Sequence, residues 1–353
     1  MRFEPTFFFM EKPKAKNSLA PLLQGLMAGG GSWDDGWSPL PVSARVEAMP
    51  SCQLRCPSCP TTTGAIRPAI APGALNPRAF EDFLKDAPHL RTVDLSNYGE
   101  VFLNKDLGRI LEIAYERGVT ISISGTNLNH LAPGMAELLV RTGVSKVRCS
   151  IDGATPSTYA KYRVRGDLAR VLANIDAINE AKELLRRRNP KLIWQFIVFG
   201  HNEHEIAQAR EMATARGMAF ATKISWDDKI SPIRNAARVR QETGMPGTRA
   251  GWRAENGHAY LRSLCHQLWN DPQFNADGTN LGCCRNFWGD FGGNVFRDGF
   301  AATFNHDKMK RARRTLLGKL EPAPDLPCAT CDLYLEMKRS GAYLTRREIE
   351  KGR

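Results

Sequence analysis

No stretch of this 353-residue chain contains the run of about 18 apolar residues that a membrane-spanning helix needs. Phe7, Phe8 and Phe9 form an apolar patch, but charge follows at once and the patch is too short for a secretory signal. The two absences predict a soluble, cytoplasmic protein with no membrane insertion. That compartment is reducing, so nine cysteines argue for metal binding rather than disulfides. Acidic residues are in deficit: 49 Lys and Arg against 37 Asp and Glu leave a net charge of +12, which favours anionic partners. Part of the excess, Lys308, Lys310, Arg311, Arg313 and Arg314, reads as a solvated helix face, with an acidic substrate, a carrier protein or nucleic acid as alternatives. The length suits one large domain with a smaller one, or two medium ones, and allows a substantial core.

What is present begins with C-Q-L-R-C-P-S-C, Cys52 to Cys59, a C-x3-C-x2-C spacing just after a β-like stretch. Three thiolates so close in sequence can hold three irons of a cubane [4Fe–4S] cluster, which normally takes four cysteines, and leave the fourth iron open. An open metal position is what separates a catalytic from a structural site. A zinc knuckle is the main rival, but Pro60 follows Cys59 and no nearby histidine or cysteine supplies a fourth ligand. An odd trio also fits disulfides poorly.

The spacing resembles the signature of radical S-adenosylmethionine (SAM) enzymes. The resemblance implies that the open iron, held with Cys52, Cys56 and Cys59, chelates the amino and carboxylate groups of SAM. One electron from the cluster then cleaves SAM to methionine and a 5′-deoxyadenosyl radical. Ser58 departs from the pattern, since the family usually has an aromatic or large apolar residue there that packs against the SAM adenine.

Strand-like and helix-like stretches alternate from residue 42 to about 225. Strands are predicted over 45–49, 92–96, 119–124, 146–152, 192–199 and 219–225, and helices over 77–86, 107–117, 132–142, 167–187 and 203–216. Asn76-Pro77 reads as an N-cap with proline at the first helical position. Asn202 with Glu205 comes close to a capping box, so His201 and His204 read as surface or cap residues. About six β-α units argue for a parallel sheet with helices outside. The resemblance implies the α/β architecture of a partial (β/α)6 TIM-like barrel of the radical SAM type, with functional groups at the C-terminal strand ends.

Several segments there look familial. Asn97-Tyr98-Gly99-Glu100 resembles the Gly-Gly-Glu segment, whose backbone and acid contact the SAM amino group. Tyr98 replaces the first glycine, and an ordinary β-turn is the plain alternative. Gly125-Thr126-Asn127 looks like a Thr-Asn-Gly turn without its last glycine. Ser150-Ile151-Asp152-Gly153, followed by Arg163 and Arg165, is similar to enzymes with a C-terminal SPASM or twitch domain. There the serine and an arginine contact the SAM ribose and carboxylate. Arg163 is favoured over Arg165, because a guanidinium can donate two parallel hydrogen bonds to a carboxylate. Cys149 alternates away from Ser150 and reads as a core thiol.

Beyond the barrel the alternation stops. The expected organisation is an N-terminal extension (1–41), a barrel core (42–232), a polar linker (233–258) and a cysteine-rich region (259–353) ending in a basic tail. In the last, Cys265, Gly278, Cys283, Cys328 and Cys331 resemble the SPASM or twitch extension. Asp277-Gly278 signals a tight hairpin turn that would bring Cys265 and Cys283 together across two strands. Four thiolates make a complete set for one auxiliary [4Fe–4S] cluster, with Cys284 as the alternative to Cys283 and a four-cysteine zinc site as the plain alternative.

The expected function is therefore a radical SAM enzyme with two [4Fe–4S] clusters. A fully ligated second cluster suits electron transfer, hence oxidation of a small polar or carbohydrate-like substrate, with a flavodoxin or ferredoxin as reductant. Asp227 and Asp228 are candidate proton acceptors, with a solvated loop as the plain reading. A maturase of a ribosomally made peptide is the alternative, weakened by the lack of an obvious leader-binding domain. A zinc-containing nucleic-acid-binding protein is the reading from another class. It leaves the segments at Asn97 and Ser150 without a role, so a nucleic-acid partner is not expected.

Overall fold

The computed structural model describes residues 32–66, 73–227 and 229–351. Asp228 and most of the N-terminal extension lie outside the described residues. Six parallel strands follow in sequence: β1 (Ser43–Val46), β2 (Thr92–Asp94), β3 (Thr120–Thr126), β4 (Lys146–Ser150), β5 (Lys191–Val198) and β6 (Ala219–Ile224). Each pairs with the next, as in Ala44 with Val93, Val93 with Ile121 and Val147 with Leu192, with a register shift between β3 and β4 after Ile123. A short antiparallel hairpin, β7 (Gln273–Phe274) and β8 (Asn280–Gly282), joins the free side of β1. The sheet therefore runs β6-β5-β4-β3-β2-β1-β7-β8, the parallel-strand sheet of a partial barrel.

The helices follow from the sequence in the expected way. Asn76 Oδ1 accepts the N–H groups of Arg78 and Ala79, starting the helix Pro77–Asp86. That helix buries Phe80, Phe83 and Leu84, each of which stabilises by about 1.5–3 kcal/mol. Leu107–Glu116 buries Leu107, Ile110, Leu111 and Ala114, and Leu168–Leu184 buries Leu168, Val171, Ile175 and Ile178. Outward residues of the strands, among them Val93, Ile121, Val147, Cys149, Trp194 and Phe196, are buried in the same core. Many of the inward residues are polar, among them Arg45, Ser124, Ser150, Gln195 and Lys223. Asp94 accepts from Ser96 and Ser122 and lies 3.3 Å from Arg45.

Some expectations are corrected. The helix expected from 132 is Met135–Arg141, because Gly134 has φ +76°. The Asn202–Glu205 capping box does not form. Asn202 Oδ1 accepts the N–H of Phe199, while Glu205 accepts the N–H groups of Ala154 and Thr155 from another unit. The segment read as a linker contains two helices, Ala236–Thr243 and Arg249–Asn256. The basic run lies on the helix Asp307–Leu316 and is not uniformly solvated. Arg313 is buried there and donates to carbonyl oxygens of Leu268, Gly36 and Phe304. Cys265 sits on the short helical turn Arg262–His266 ahead of β7, not on a strand. Gly278, at φ +86°, does close the β7–β8 turn.

Candidate active site

At the C-terminal end of β1 the chain turns through Cys52, Cys56 and Cys59 into a cavity of about 340 Å³, within the usual range of ligand sites, roughly 300–1,000 Å³. All three thiols line it. The turn is set by the Cys59 N–H donating to Cys56 O at 3.0 Å, and Pro60 opens a one-turn helix behind it. Cys52 Sγ accepts from Leu54 N–H at 3.4 Å and Asn127 Nδ2 at 3.5 Å, and Cys56 Sγ faces Arg163 Nη1 at 3.7 Å. Burial pushes the Cys52 thiol up to about 12, and Glu100 and the neighbouring thiols add to it. Burial raises Cys56 as well, against the pull of Arg163. Such thiols lose their protons when a metal cation supplies compensating charge. Three convergent sulfurs with N–H donors around them fit a cluster with one open iron.

Asn97 to Glu100 forms the floor beside them. Gly99 is packed so closely that a Cβ would sit 1.8 Å from Met49 O. Its N–H and that of Tyr98 donate to Glu47, at 3.2 and 2.7 Å. Glu47, absent from the sequence-based candidates, is buried, and burial pushes its carboxyl up to about 7 despite these donors. Glu100 is fully buried and accepts from Thr126 Oγ1 at 2.5 Å, Asn127 N–H at 2.7 Å and Phe102 N–H at 3.3 Å. Its carboxylate thus ties the β2 end to the β3 end and keeps little free capacity for a ligand. Asn97 Nδ2 is buried in the lining without a partner.

Ser150 and Arg163 both line the cavity, and Arg165 is exposed. Ser150 Oγ accepts from Gln195 Nε2 at 3.2 Å. Arg163 Nε and Nη2 are already held by Asp152, so only Nη1 faces the cysteine loop. Ser58 carries no ring, but its hydroxyl hydrogen-bonds Tyr162 at 2.7 Å and Trp226 at 2.9 Å, and both rings line the cavity. Asp227 is not among the lining residues. Its carboxylate accepts Lys229 N–H in a surface turn. The sequence signal for Glu47, and equally for Lys223 on β6, was a charge inside strands that should read as continuous apolar runs.

Cys265, Cys283, Cys328 and Cys331 line a second, small apolar space with Leu264, Leu268 and Phe291. Burial drives Cys265 and Cys328 well above the ordinary thiol range, and their neighbouring thiols add to it. Cys283 is pushed up to about 12 in the same way. Cys284 turns the other way and lines the main cavity. Among the described residues no three donors close around one point as a single metal ion requires.

Residues 46–213 match the radical SAM superfamily. The AdoMet-dependent heme synthase of Methanosarcina barkeri is 26% identical over 137 residues, and this match covers only 38% of this chain and 38% of the relative's own length. Streptococcus suis SuiB bound to S-adenosylmethionine superposes with TM-score 0.61 at 14% identity, over 84% of this chain and 72% of that chain. SuiB bound to the precursor peptide SuiA gives 0.59 at 12% identity, over 84% and 71%. The thiol triplet at the open end of a partial parallel barrel lies inside the matched stretch, so residues 46–213 are similar to the radical SAM superfamily in both sequence and placement of the cysteine loop.

Proposed function

We propose that the chain is a cytoplasmic radical SAM oxidoreductase acting on a small polar substrate, with a second, fully ligated [4Fe–4S] cluster on Cys265, Cys283, Cys328 and Cys331. The observation that carries this reading is the grouping of those four thiols around one buried space, separate from Cys52, Cys56 and Cys59. When bound, the clusters and SAM supply hydrogen-atom abstraction and one-electron transfer. Net oxidation then removes one hydrogen atom, one electron and one proton from the substrate.

The chain's own residues position and exclude. Asp152 fixes Arg163 against the cysteine loop. Glu47 and Glu100 hold the Asn97 segment against the β1 and β3 ends. Tyr162 and Trp226 wall the cavity beside Ser58. Residues 42–232 act as the barrel core, and 259–353 as the auxiliary region of SPASM or twitch type. A flavodoxin or ferredoxin is the fitting reductant. A second reading, maturation of a peptide, is supported by the likeness to the fold of SuiB, whose structure holds the precursor peptide SuiA.

Anaerobic reconstitution tests the proposal. A brown protein absorbing near 400 nm, with about eight irons per chain and 5′-deoxyadenosine formed on reduction with SAM, is the expected result. A colourless zinc protein rejects it.

A further inference from the structure

Among the described residues, five cations line the cavity, Arg45, Arg163, Lys223, Arg249 and Arg285, against one carboxylate, Glu100. Arg45 is compensated by Asp94 at 3.3 Å and Asp271 at 3.6 Å, Arg163 by Asp152, and Arg285 by Asp332 at 3.2 Å, and Arg249 is engaged as well. Lys223 has neither an ion pair nor a hydrogen bond among the described residues. Its surroundings make this costly. Burial and the nearby Arg148 and Arg45 push its ammonium down, while Asp152, the nearest carboxylate influence, is engaged by Arg163. Arg148 Nε is itself buried without a partner.

The position of Lys223 is set by topology. Its strand, β6, and the hairpin strand β8 are the two outer strands of the sheet. Lys223 and Cys284, which follows β8, lie within electrostatic reach of each other. Both residues line the same cavity, so the two outer strands border it. Arg249 Nε donates to Ser225 O at 2.9 Å, which brings that side chain to the same rim. On the neighbouring β5, Gln195 is 6% exposed, and its Oε1 is buried without a partner.

We infer that the gap between the β6 and β8 edges binds an anionic group of the substrate, a carboxylate or a phosphate, with Lys223 as its counter-ion and Arg249 at its rim. This deepens the proposed function and rests on reading the cavity as the substrate site. A half-buried ammonium with no anion beside it among the described residues is unfavourable, and an incoming anion converts that cost into a charge-assisted hydrogen bond. Gln195 Oε1 is then free to accept from a hydroxyl or amine of the same molecule. The substrate class is a polar metabolite bearing both an anionic group and a hydrogen-bond donor.

The test uses the reconstituted full chain with SAM present, and malonate and inorganic phosphate as probes, read by tryptophan fluorescence and calorimetry. The expected result is saturable binding of at least one probe, weakened at least tenfold in Lys223→Gln and partly restored in Lys223→Arg. Lys223→Met, which keeps the apolar stem, guards against a folding failure, and circular dichroism verifies each variant. Equal binding by wild type and folded variants, or no probe binding at all, overturns the inference. So does binding seen only without SAM, which would assign the site to the cofactor. Wild-type SAM cleavage, measured in parallel, reports on the proposed function separately.

Discussion

Asp152 Oδ2 accepts both Nε and Nη2 of Arg163, at 2.7 and 2.6 Å, while its Oδ1 accepts Ile197 N–H at 2.7 Å. Asp152 is completely buried, so the pair is not a surface ion pair of negligible worth. Asp152→Ala leaves the guanidinium buried and unpaired, and a loss of about 3–5 kcal/mol in unfolding free energy is expected. Urea titration of the variant measures it. A loss below about 1 kcal/mol, the range of exposed pairs, would show the arginine to be solvated instead.

Gly99→Ala tests the close approach of the cavity floor to the cysteine loop. The added Cβ meets Met49 O at 1.8 Å; the Cβ is fixed to its own Cα and the oxygen belongs to backbone, so neither can simply rotate away. The N–H of Gly99 should leave Glu47, and SAM binding measured calorimetrically should weaken at least tenfold while the far-ultraviolet circular dichroism stays close to wild type.

Glu47 gives a pH dependence with a definite sign. Its folded carboxyl titrates at about 7 against an ordinary 4.5 because it is buried. Between those values the folded state binds more protons than the unfolded state, so stability falls as pH rises through this window. The slope corresponds to a contribution on the order of 3 kcal/mol over the window. Glu47→Gln should flatten the decline in melting temperature between pH 5 and pH 7.5, roughly the window of that shift. An unchanged wild-type-like slope in this variant argues that the carboxyl is already ionised in the folded protein.

Cys56→Ala should abolish SAM cleavage by the dithionite-reduced protein, because two thiolates do not hold the cubane. Undiminished 5′-deoxyadenosine from this variant would remove the thiol triplet from its assigned role.

Replacing Cys328 and Cys331 by alanine should lower bound iron to about half and leave some uncoupled SAM cleavage, since Cys52, Cys56 and Cys59 are intact. Product formation should fall much further. A cluster bound here would contribute its binding energy to folding, so circular dichroism accompanies the assay. Wild-type turnover by the folded double variant restricts the second site to a structural role.

Much of the barrel was legible in the chain because its cues are local. Asn76 caps the helix it was expected to cap, and the spacing of Leu107, Ile110, Leu111 and Ala114 lies on the buried face. Misreadings arose where local cues were overridden from a distance. Glu205 looked like half of a capping box, but it serves the N–H groups of Ala154 and Thr155. Arg313 looked like one of several solvated bases, but four acceptors enclose it.

The sequence by itself determined the thiol triplet, the order of βα units and the tight turn at Gly278, because spacing and backbone preference act over a few residues. Only the tertiary structure decided that Cys283 faces Cys265, Cys328 and Cys331 while Cys284 faces the main cavity. It also decided that Arg163 is held by Asp152, and that Lys223 lines the same cavity as Cys284 with no ion pair among the described residues. Each of these depends on which side chains a curved sheet brings face to face, and burial then fixes the energetic meaning of a charge that sequence alone leaves in water.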